Sequence, residues 1–91
     1  MWTVLEHSGV AKTAKKLPRE ILEKYEFWKN VVMHSGPQGL RLIRGFNDEA
    51  LKGNLKGYRS SRLNDQWRVI YQVDGTNVRV IVEKITPHVY R

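Results

Sequence analysis

The residues of this chain that could do chemistry are concentrated in its last third. Arg62 and Arg68 flank a short polar turn, and His88 and Tyr90 stand near the end of the sequence. An arginine presents N–H donors in a planar fork that matches a phosphate group, and a histidine can accept or donate a proton near neutral pH. Together with a tyrosine hydroxyl, these groups could hold a phosphate and transfer protons around it without a metal ion.

Several other chemistries are excluded by the composition. The 91 residues include no cysteine, which excludes disulfide bonds, cysteine–zinc sites and thiol nucleophiles. His7, His34 and His88 are not spaced as the ligands of a metal site. We therefore expect neither a metal nor another cofactor.

Positive charge is unevenly distributed along the chain. Of a net charge of +7, residues 1–51 contribute +2 (8 basic and 6 acidic residues) and residues 52–91 contribute +5 (8 and 3). A basic surface favours a polyanion partner, because contacts to phosphates release counterions. Solubility alone and an acidic protein partner are the alternatives. The candidate RNA-contacting residues are Lys52, Lys56, Arg59, Arg62, Arg68 and Arg91.

The first half of the sequence predicts a short strand and two helices. Residues 2–6 are rich in β-branched and aromatic types and predict the strand. Ser8 is the predicted N-cap of the first helix, and Pro18 suits the first turn of the second, which ends near Gly36. Apolar residues then recur at helical spacing, which predicts a core-facing stripe rather than a stacking platform for bases. The stripe consists of Ile21, Tyr25, Trp28 and Val32.

The second half predicts three strands, at residues 58–63, 67–73 and 77–85, joined by hairpin turns at 64–66 and 74–76. Before them, residues 40–43 predict a short extended piece, and residues 47–49 predict the start of a helical turn.

Side chains alternate along the middle strand of these three. Residues 67, 69, 71 and 73 are expected to face the helices, whereas Arg68, Ile70 and Gln72 occupy the other, more polar face. Arg68 should therefore lie at the centre of that face, with Arg62 on a neighbouring strand.

The sequence resembles the RelE/ParE superfamily of small toxins from bacterial toxin–antitoxin pairs, and within it the ribosome-dependent messenger-RNA endonucleases of the RelE, YoeB and HigB kind. The order of elements carries the resemblance, with the segments EALKGNLKGYRSSRL at 49–63 and WRVIY at 67–71 and the terminal His-Val-Tyr. The resemblance implies an α+β fold in one domain over residues 1–91. Two N-terminal helices would pack on a twisted, mainly antiparallel sheet of about four strands.

The resemblance also implies an activity, which is cleavage of messenger RNA in the A site of the small ribosomal subunit, neutralised by a cognate antitoxin. The family's phosphate-binding arginine falls on Arg68 and its basic neighbour on Arg62. The YoeB carboxylate falls on Glu49, and the C-terminal pair on His88 and Tyr90. The chain departs from RelE itself, whose lysines on the first long strand are replaced by Ser60 and Arg62.

Cleavage without a metal requires a base for the RNA 2′-hydroxyl, an acid for the leaving 5′-oxygen and cations for the developing charge. By residue chemistry, Glu49 or His88 can act as the base and His88 can also act as the acid. Our working assignment is Glu49 as base, His88 as acid, Arg62 and Arg68 as charge stabilisers and Tyr90 as the orienting group. Glu49 also suits a helix N-terminus, so its role stays open.

Three other functions fit the same residues. These are a ParE-like gyrase inhibitor without nuclease activity, a non-catalytic RNA-binding module, and a binding-only partner of an acidic peptide. The start of the sequence lacks the pattern of a signal peptide, and no run approaches the roughly 20 apolar residues that cross a bilayer, so we expect a cytosolic protein without membrane contact. A homodimer and a toxin–antitoxin hetero-oligomer are both left open.

Overall fold

The computed structural model describes residues 1–87. Its two α-helices are α1 (Val10–Lys15) and α2 (Arg19–Ser35). Its strands are β1 (Thr3–Glu6), β2 (Glu49–Ala50), β3 (Arg59–Arg62), β4 (Arg68–Asp74) and β5 (Arg79–Thr86). Short 3₁₀ helices span Pro37–Leu42, Arg44–Phe46 and Gly53–Leu55.

The strands form one sheet in the order β1-β5-β4-β3-β2. β1 runs parallel to β5, and the other neighbours are antiparallel. This confirms the predicted α+β fold with two N-terminal helices and a mainly antiparallel sheet. The sequence predicted about four strands, and the described residues form five. The additional strand is β2, which pairs over two residues only.

The predicted apolar stripe of α2 is the centre of the core. Tyr25, Trp28 and Val32 are fully buried, and Ile21 is nearly so. The rings of Trp28 and Tyr71 meet edge to face, with centroids 5.2 Å apart, which joins the helix to β4. Burying such side chains contributes about 1.5–3 kcal/mol each, so this stripe fixes the helix on one face of the sheet.

The helix starts differ from the prediction in detail. Gly9, not Ser8, is the N-cap of α1, and its φ of 93° is a left-handed conformation that glycine adopts without strain. Pro18 is the N-cap of α2 and not part of its first turn, and its carbonyl accepts hydrogen bonds from the Ile21 and Leu22 N–H groups.

Between α2 and β3 the local predictions were wrong. The piece around residues 40–43, predicted to be extended, is mainly the 3₁₀ helix Pro37–Leu42, where Pro37 suits the first turn and Leu40 is fully buried. The segment predicted to start a helical turn contains β2 instead. Glu49 and Ala50 pair there with Ser60 and Arg59.

The last two hairpins agree with the prediction in order but not in all bounds. The turn after β3 is held by Asn64, whose side-chain oxygen accepts from the Gln66 and Trp67 N–H groups at 2.8 and 2.6 Å. The second turn is longer than predicted, since β5 begins at Arg79 and pairs with Asp74 across four residues. Hydrogen bonds from the backbone and side-chain N–H groups of Asn77 to Asp74 favour this wider loop over a tight Asp-Gly turn.

No helix within residues 1–87 combines the length and apolar character needed to span a membrane.

Candidate functional site

The β3–β4 hairpin places two arginines directly opposite each other. Its register pairs Arg62 with Arg68, and β5 then places Thr86 opposite Arg68 on the other side. Residues directly opposite in an antiparallel pair project from the same face of the sheet. The predicted neighbourhood of Arg68 and Arg62 is therefore confirmed, and we call these two residues the arginine pair.

Neither guanidinium of the arginine pair has a carboxylate partner within residues 1–87. The one side-chain hydrogen bond that Arg68 makes within residues 1–87 is from Nη1 to the Gln66 carbonyl at 3.3 Å, although the exposed fraction of Arg68 is only 8%. Arg62 is half-buried. An arginine cannot lose its charge in water, and like charges directly opposite destabilise a sheet. The pair is therefore suited to receive an anion.

The carboxylate predicted for the site lies on the same face. Glu49 is opposite Ser60, and Ser60 is opposite Ile70 in the next strand. Because side chains alternate along a strand, Ser60 and Arg62 share a face, and Glu49 shares it with them. The sheet thus brings the predicted base and the predicted charge stabilisers to one surface, with Glu49 exposed at its margin.

The centre of this face is less open than the sequence predicted. Ile70 is fully buried although it does not belong to the main hydrophobic core, and Ser60 is also buried. Ile70 lies two positions from Arg68 on β4, so the arginine pair adjoins an apolar, water-poor floor. Electrostatic attraction for an anion is stronger beside such a floor than in open water.

Arg59, a predicted RNA contact, occupies the opposite face. Its guanidinium pairs with the fully buried carboxylate of Asp48, at 2.8 Å from Nε and 2.7 Å from Nη2. The same carboxylate accepts hydrogen bonds from Ser61 Oγ at 2.5 Å and from the Tyr71 hydroxyl. Since this guanidinium is already engaged on the helix side, we expect Arg59 to stabilise the fold instead of binding RNA.

The Asp48 carboxylate raises the pKa of both Tyr71 and Arg59, so each stays protonated beside it. Burial raises the pKa of Tyr71, and its hydrogen bond to the Asp48 carboxylate raises it further, so the tyrosine stays a donor. Burial alone would lower the pKa of Arg59, but the hydrogen bond and charge of Asp48 raise it above its ordinary value. Sequence reasoning missed this network. A signal was present in Tyr71, a tyrosine on the predicted core face, because a buried tyrosine hydroxyl usually has a partner.

Two other predicted RNA-contacting residues lie in a loop beside the sheet. Lys52 and Lys56 are exposed in the segment that joins β2 to β3, around the 3₁₀ helix Gly53–Leu55. The predictions for His88, Tyr90 and Arg91 lie outside the described residues. No cluster of three or more potential metal ligands occurs in the part of the chain that the structure describes.

The chain is similar to a curated protein and to several solved structures, whereas no protein-family model matches it. "Toxin HigB-1" of Vibrio cholerae serotype O1 is 44% identical over 52 residues, which are 56% of this chain and 52% of that protein. The chain therefore matches about half the length of this relative.

The solved structures are similar over nearly the whole chain. The archaeal RelE–RelB complex from Pyrococcus horikoshii OT3 gives a TM-score of 0.74 at 23% identity, covering 94% of this chain and 93% of that one. The "YoeB/ParE toxin" from Agrobacterium tumefaciens gives 0.76 at 19% identity, covering 96% and 99%. These likenesses confirm the fold that the sequence predicted.

Proposed function

We propose that this chain is a toxin of the RelE/ParE superfamily, one partner of a toxin–antitoxin pair, and a ribosome-dependent endoribonuclease that cleaves messenger RNA in the A site. The observation that carries the proposal is the arginine pair, two opposed guanidiniums without a carboxylate partner within residues 1–87. A phosphodiester is the anion that such a forked, doubly charged site fits best.

The proposed reaction needs no group that the sequence lacks. A base removes the proton of the 2′-hydroxyl, the 2′-oxygen attacks the adjacent phosphorus, and the bond from phosphorus to the 5′-oxygen breaks. An acid gives a proton to that 5′-oxygen. The products are a 2′,3′-cyclic phosphate and a free 5′-hydroxyl. Arg62 and Arg68 stabilise the extra negative charge of the phosphorane, which is where fixed cations lower the barrier most.

Glu49 is the base in this proposal because it shares a face with the arginine pair and is exposed to solvent. His88 is the acid and Tyr90 the orienting group, by their residue types and the resemblance. Thr86 lies opposite Arg68 in the sheet. In the sequence, His88 comes two positions after Thr86.

Dependence on the ribosome comes from the resemblance, and the small number of proton-transfer groups in the proposed site is compatible with a substrate that another body positions. A weak nuclease gains most when another body holds the substrate, because correct alignment can supply about 7–11 kcal/mol of the barrier. The ribosomal A site would hold the message over the sheet face. Lys52 and Lys56 would add a general positive field at its margin.

A neutralising antitoxin completes the proposal. One solved structure with this fold is a complex of RelE with RelB, which supports a protein partner of the same kind here. The cytosol, where ribosomes and messenger RNA are found, is the compartment that this function requires.

Primer extension on a defined messenger RNA tests the proposal, with programmed ribosomes present or absent. We expect cuts only with ribosomes and the wild-type chain, and a loss of about 100-fold or more for Arg68→Ala, the effect of removing one transition-state donor. Arg19→Ala is the matched control, since Arg19 is an exposed arginine on α2 that forms an ion pair with Glu23.

Circular dichroism of Arg68→Ala separates misfolding from lost catalysis, and Arg62→Ala repeats the test at a more accessible side chain. If the wild-type chain makes no cuts with ribosomes but inhibits DNA supercoiling by gyrase, the nuclease proposal is wrong and the gyrase inhibitor is favoured. If it binds the message without cutting it, the chain is an RNA-binding module.

A further inference from the structure

The face of the sheet that carries the arginine pair, here called the open face, is organised in rows that run across the strands. The first row contains Arg62 and Arg68, which lie opposite each other. The second row contains Glu49, Ser60 and Ile70, which lie opposite one another in three successive strands. Because side chains alternate along a strand, neighbouring rows on one face are roughly 7 Å apart.

A third row follows, with Tyr58 and Gln72 at its centre. The β3–β4 register, continued by one residue beyond its last pair, places Tyr58 opposite Gln72. Gln72 in turn lies opposite Ile81 on β5. Alternation puts the side chains of this row on the open face, roughly 14 Å along the strands from the arginine pair. The row of Glu49 lies between the two.

The two central side chains of the third row have polar groups that the fold does not use. Tyr58 and Gln72 are half-buried, and within residues 1–87 neither the Tyr58 hydroxyl nor the Gln72 amide makes a hydrogen bond. The backbone of Tyr58 is nevertheless fixed. Its N–H donates to the Leu55 carbonyl and its carbonyl accepts from the Leu51 N–H, both at 2.9 Å. We call these two residues the Tyr58–Gln72 pair.

Tyr58 differs from the other tyrosines and the tryptophans within residues 1–87, which are buried in the core or packed against it. Those are Trp2, Tyr25, Trp28, Trp67 and Tyr71. A partly exposed aromatic ring on a surface that also binds phosphate is typical of a platform on which an unpaired RNA base stacks. The Gln72 amide beside it carries both a donor and an acceptor. The pair therefore has the groups needed to hold a base and to read its edge.

We propose that the Tyr58–Gln72 pair binds the base of the nucleotide whose 2′-hydroxyl attacks, and that it selects adenine there. This inference rests on the proposed function and deepens it. In a ribonucleotide the 3′-phosphate, the 2′-hydroxyl and the base are attached to C3′, C2′ and C1′, so the hydroxyl lies between the phosphate and the base. The three rows have the same order, with the arginine pair for the phosphate, Glu49 for the hydroxyl and the Tyr58–Gln72 pair for the base.

The choice of adenine comes from the chemistry of the Gln72 amide. Its carbonyl oxygen accepts from the N6–H of adenine while its N–H donates to N7, which gives two hydrogen bonds at one edge of the base. Guanine presents two acceptors at that edge, O6 and N7, so the amide can make only one of these bonds. A pyrimidine has no N7 and its single ring covers less of Tyr58. Single-stranded RNA leaves this edge of a purine accessible.

The test measures binding of fluorescently labelled RNA to the full-length chain without ribosomes, by fluorescence anisotropy. Each RNA is a run of uridines with one variable nucleotide, which lacks its 2′-hydroxyl so that it cannot be cut. We expect adenine to bind about tenfold more tightly than guanine or a pyrimidine. Tyr58→Ala should lose about tenfold in affinity for the adenine RNA, and Tyr58→Phe should keep it because the ring remains.

Gln72→Arg tests the reading of the base edge directly. An arginine donates to both O6 and N7 of guanine, so this variant should change the preference from adenine to guanine. Gln38→Ala is the matched control, since Gln38 is an exposed glutamine in the 3₁₀ helix that follows α2, outside the sheet. It should leave every Kd unchanged.

Equal affinity for all four bases would overturn the inference, and so would a Gln72→Arg variant that still prefers adenine. Circular dichroism checks the folding of each variant, and if Tyr58→Ala does not fold, Gln72→Arg decides. The binding assay also separates this inference from the proposed function. Ribosome-dependent cuts together with equal binding of the four bases would support the nuclease and overturn the base subsite. Adenine-selective binding by a chain that cuts nothing would overturn the nuclease and support the base subsite as part of an RNA-binding module.

Discussion

The hydroxyl of Tyr71 on β4 donates a hydrogen bond to the carboxylate of Asp48, which immediately precedes β2. The contact crosses β3, and Arg59 and Ser61 of that strand bind the same carboxylate. Through these hydrogen bonds, Asp48 connects the two-residue strand β2 to β3 and β4. Because Glu49 follows Asp48 directly, the position of the proposed base depends on this network.

Removing the Asp48 carboxylate should destabilise the fold and displace Glu49. For Asp48→Ala we expect a loss of about 2–3 kcal/mol in the free energy of unfolding, less than the 3–5 kcal/mol of a fully buried ion pair because Arg59 is partly exposed. Tyr71→Phe should lose about 1–2 kcal/mol, since the carboxylate keeps two other donors. Urea denaturation measures both losses, and a loss for Tyr71→Phe as large as that for Asp48→Ala would contradict the shared network.

Arg62→Gln should stabilise the protein while weakening its function. The substitution removes one of two like charges at directly opposite positions of the sheet, and such a pair costs about 0.2–1 kcal/mol. Thermal unfolding at low and high salt measures the effect, and the gain should shrink at high salt because salt screens the repulsion. Ribosome-dependent cleavage by the same variant should fall. A variant that is destabilised at low salt would show that the two guanidiniums do not repel each other.

Arg68→Lys should lose most of the cleavage activity although it keeps the charge. A lysine ammonium cannot give the forked pair of hydrogen bonds that a guanidinium gives to two phosphate oxygens. We expect a fall of about 10–100-fold in the single-turnover rate with programmed ribosomes, smaller than for Arg68→Ala. Equal losses for the lysine and alanine variants would show that fork geometry alone matters, and an unchanged rate for lysine would show that charge alone suffices.

Val78→Asn should raise stability. Val78 has a φ of 53° in the loop before β5, a left-handed conformation that costs a β-branched residue about 1–2 kcal/mol and that asparagine adopts more readily. Its side chain is exposed, and its carbonyl accepts a hydrogen bond from the Thr3 N–H, which the substitution keeps. We expect the free energy of unfolding in urea to rise by about 1 kcal/mol. Thr76→Asn, in the same loop but at a position whose φ is not positive, should give no gain.

The site could be predicted from the sequence where strand alternation governs it. A period of two, with turn residues at 64–66, was enough to place Arg62 beside Arg68 and to put Tyr71 on the core side. The same argument could not show that Ile70 would be buried on the polar face, since burial there depends on what covers the strand and not on the pattern along it.

The prediction failed where short elements depend on distant contacts. Asp48 and Glu49 have the composition of a helix start, and only their pairing with Arg59, Ser60 and Tyr71 makes them part of the sheet. The 3₁₀ helix Pro37–Leu42 is likewise fixed by burial of Leu40 and not by periodicity. The conformation of these two segments, and with it the position of the proposed base, could therefore not be read from local sequence.

The two halves of the proposed site also differ in how the chain assembles them. Arg62 and Arg68 belong to one hairpin closed by the Asn64 turn, so their pairing is local in sequence. Local pairings form early in folding because the loop that they close costs little entropy. Glu49 joins them only after a longer stretch of chain, residues 51–58, has closed. Changes in the length of that stretch should therefore leave the proposed anion binding intact while altering the proposed proton transfer. The surface around Glu49 is then the part that is more readily lost, or retuned, as sequences diverge.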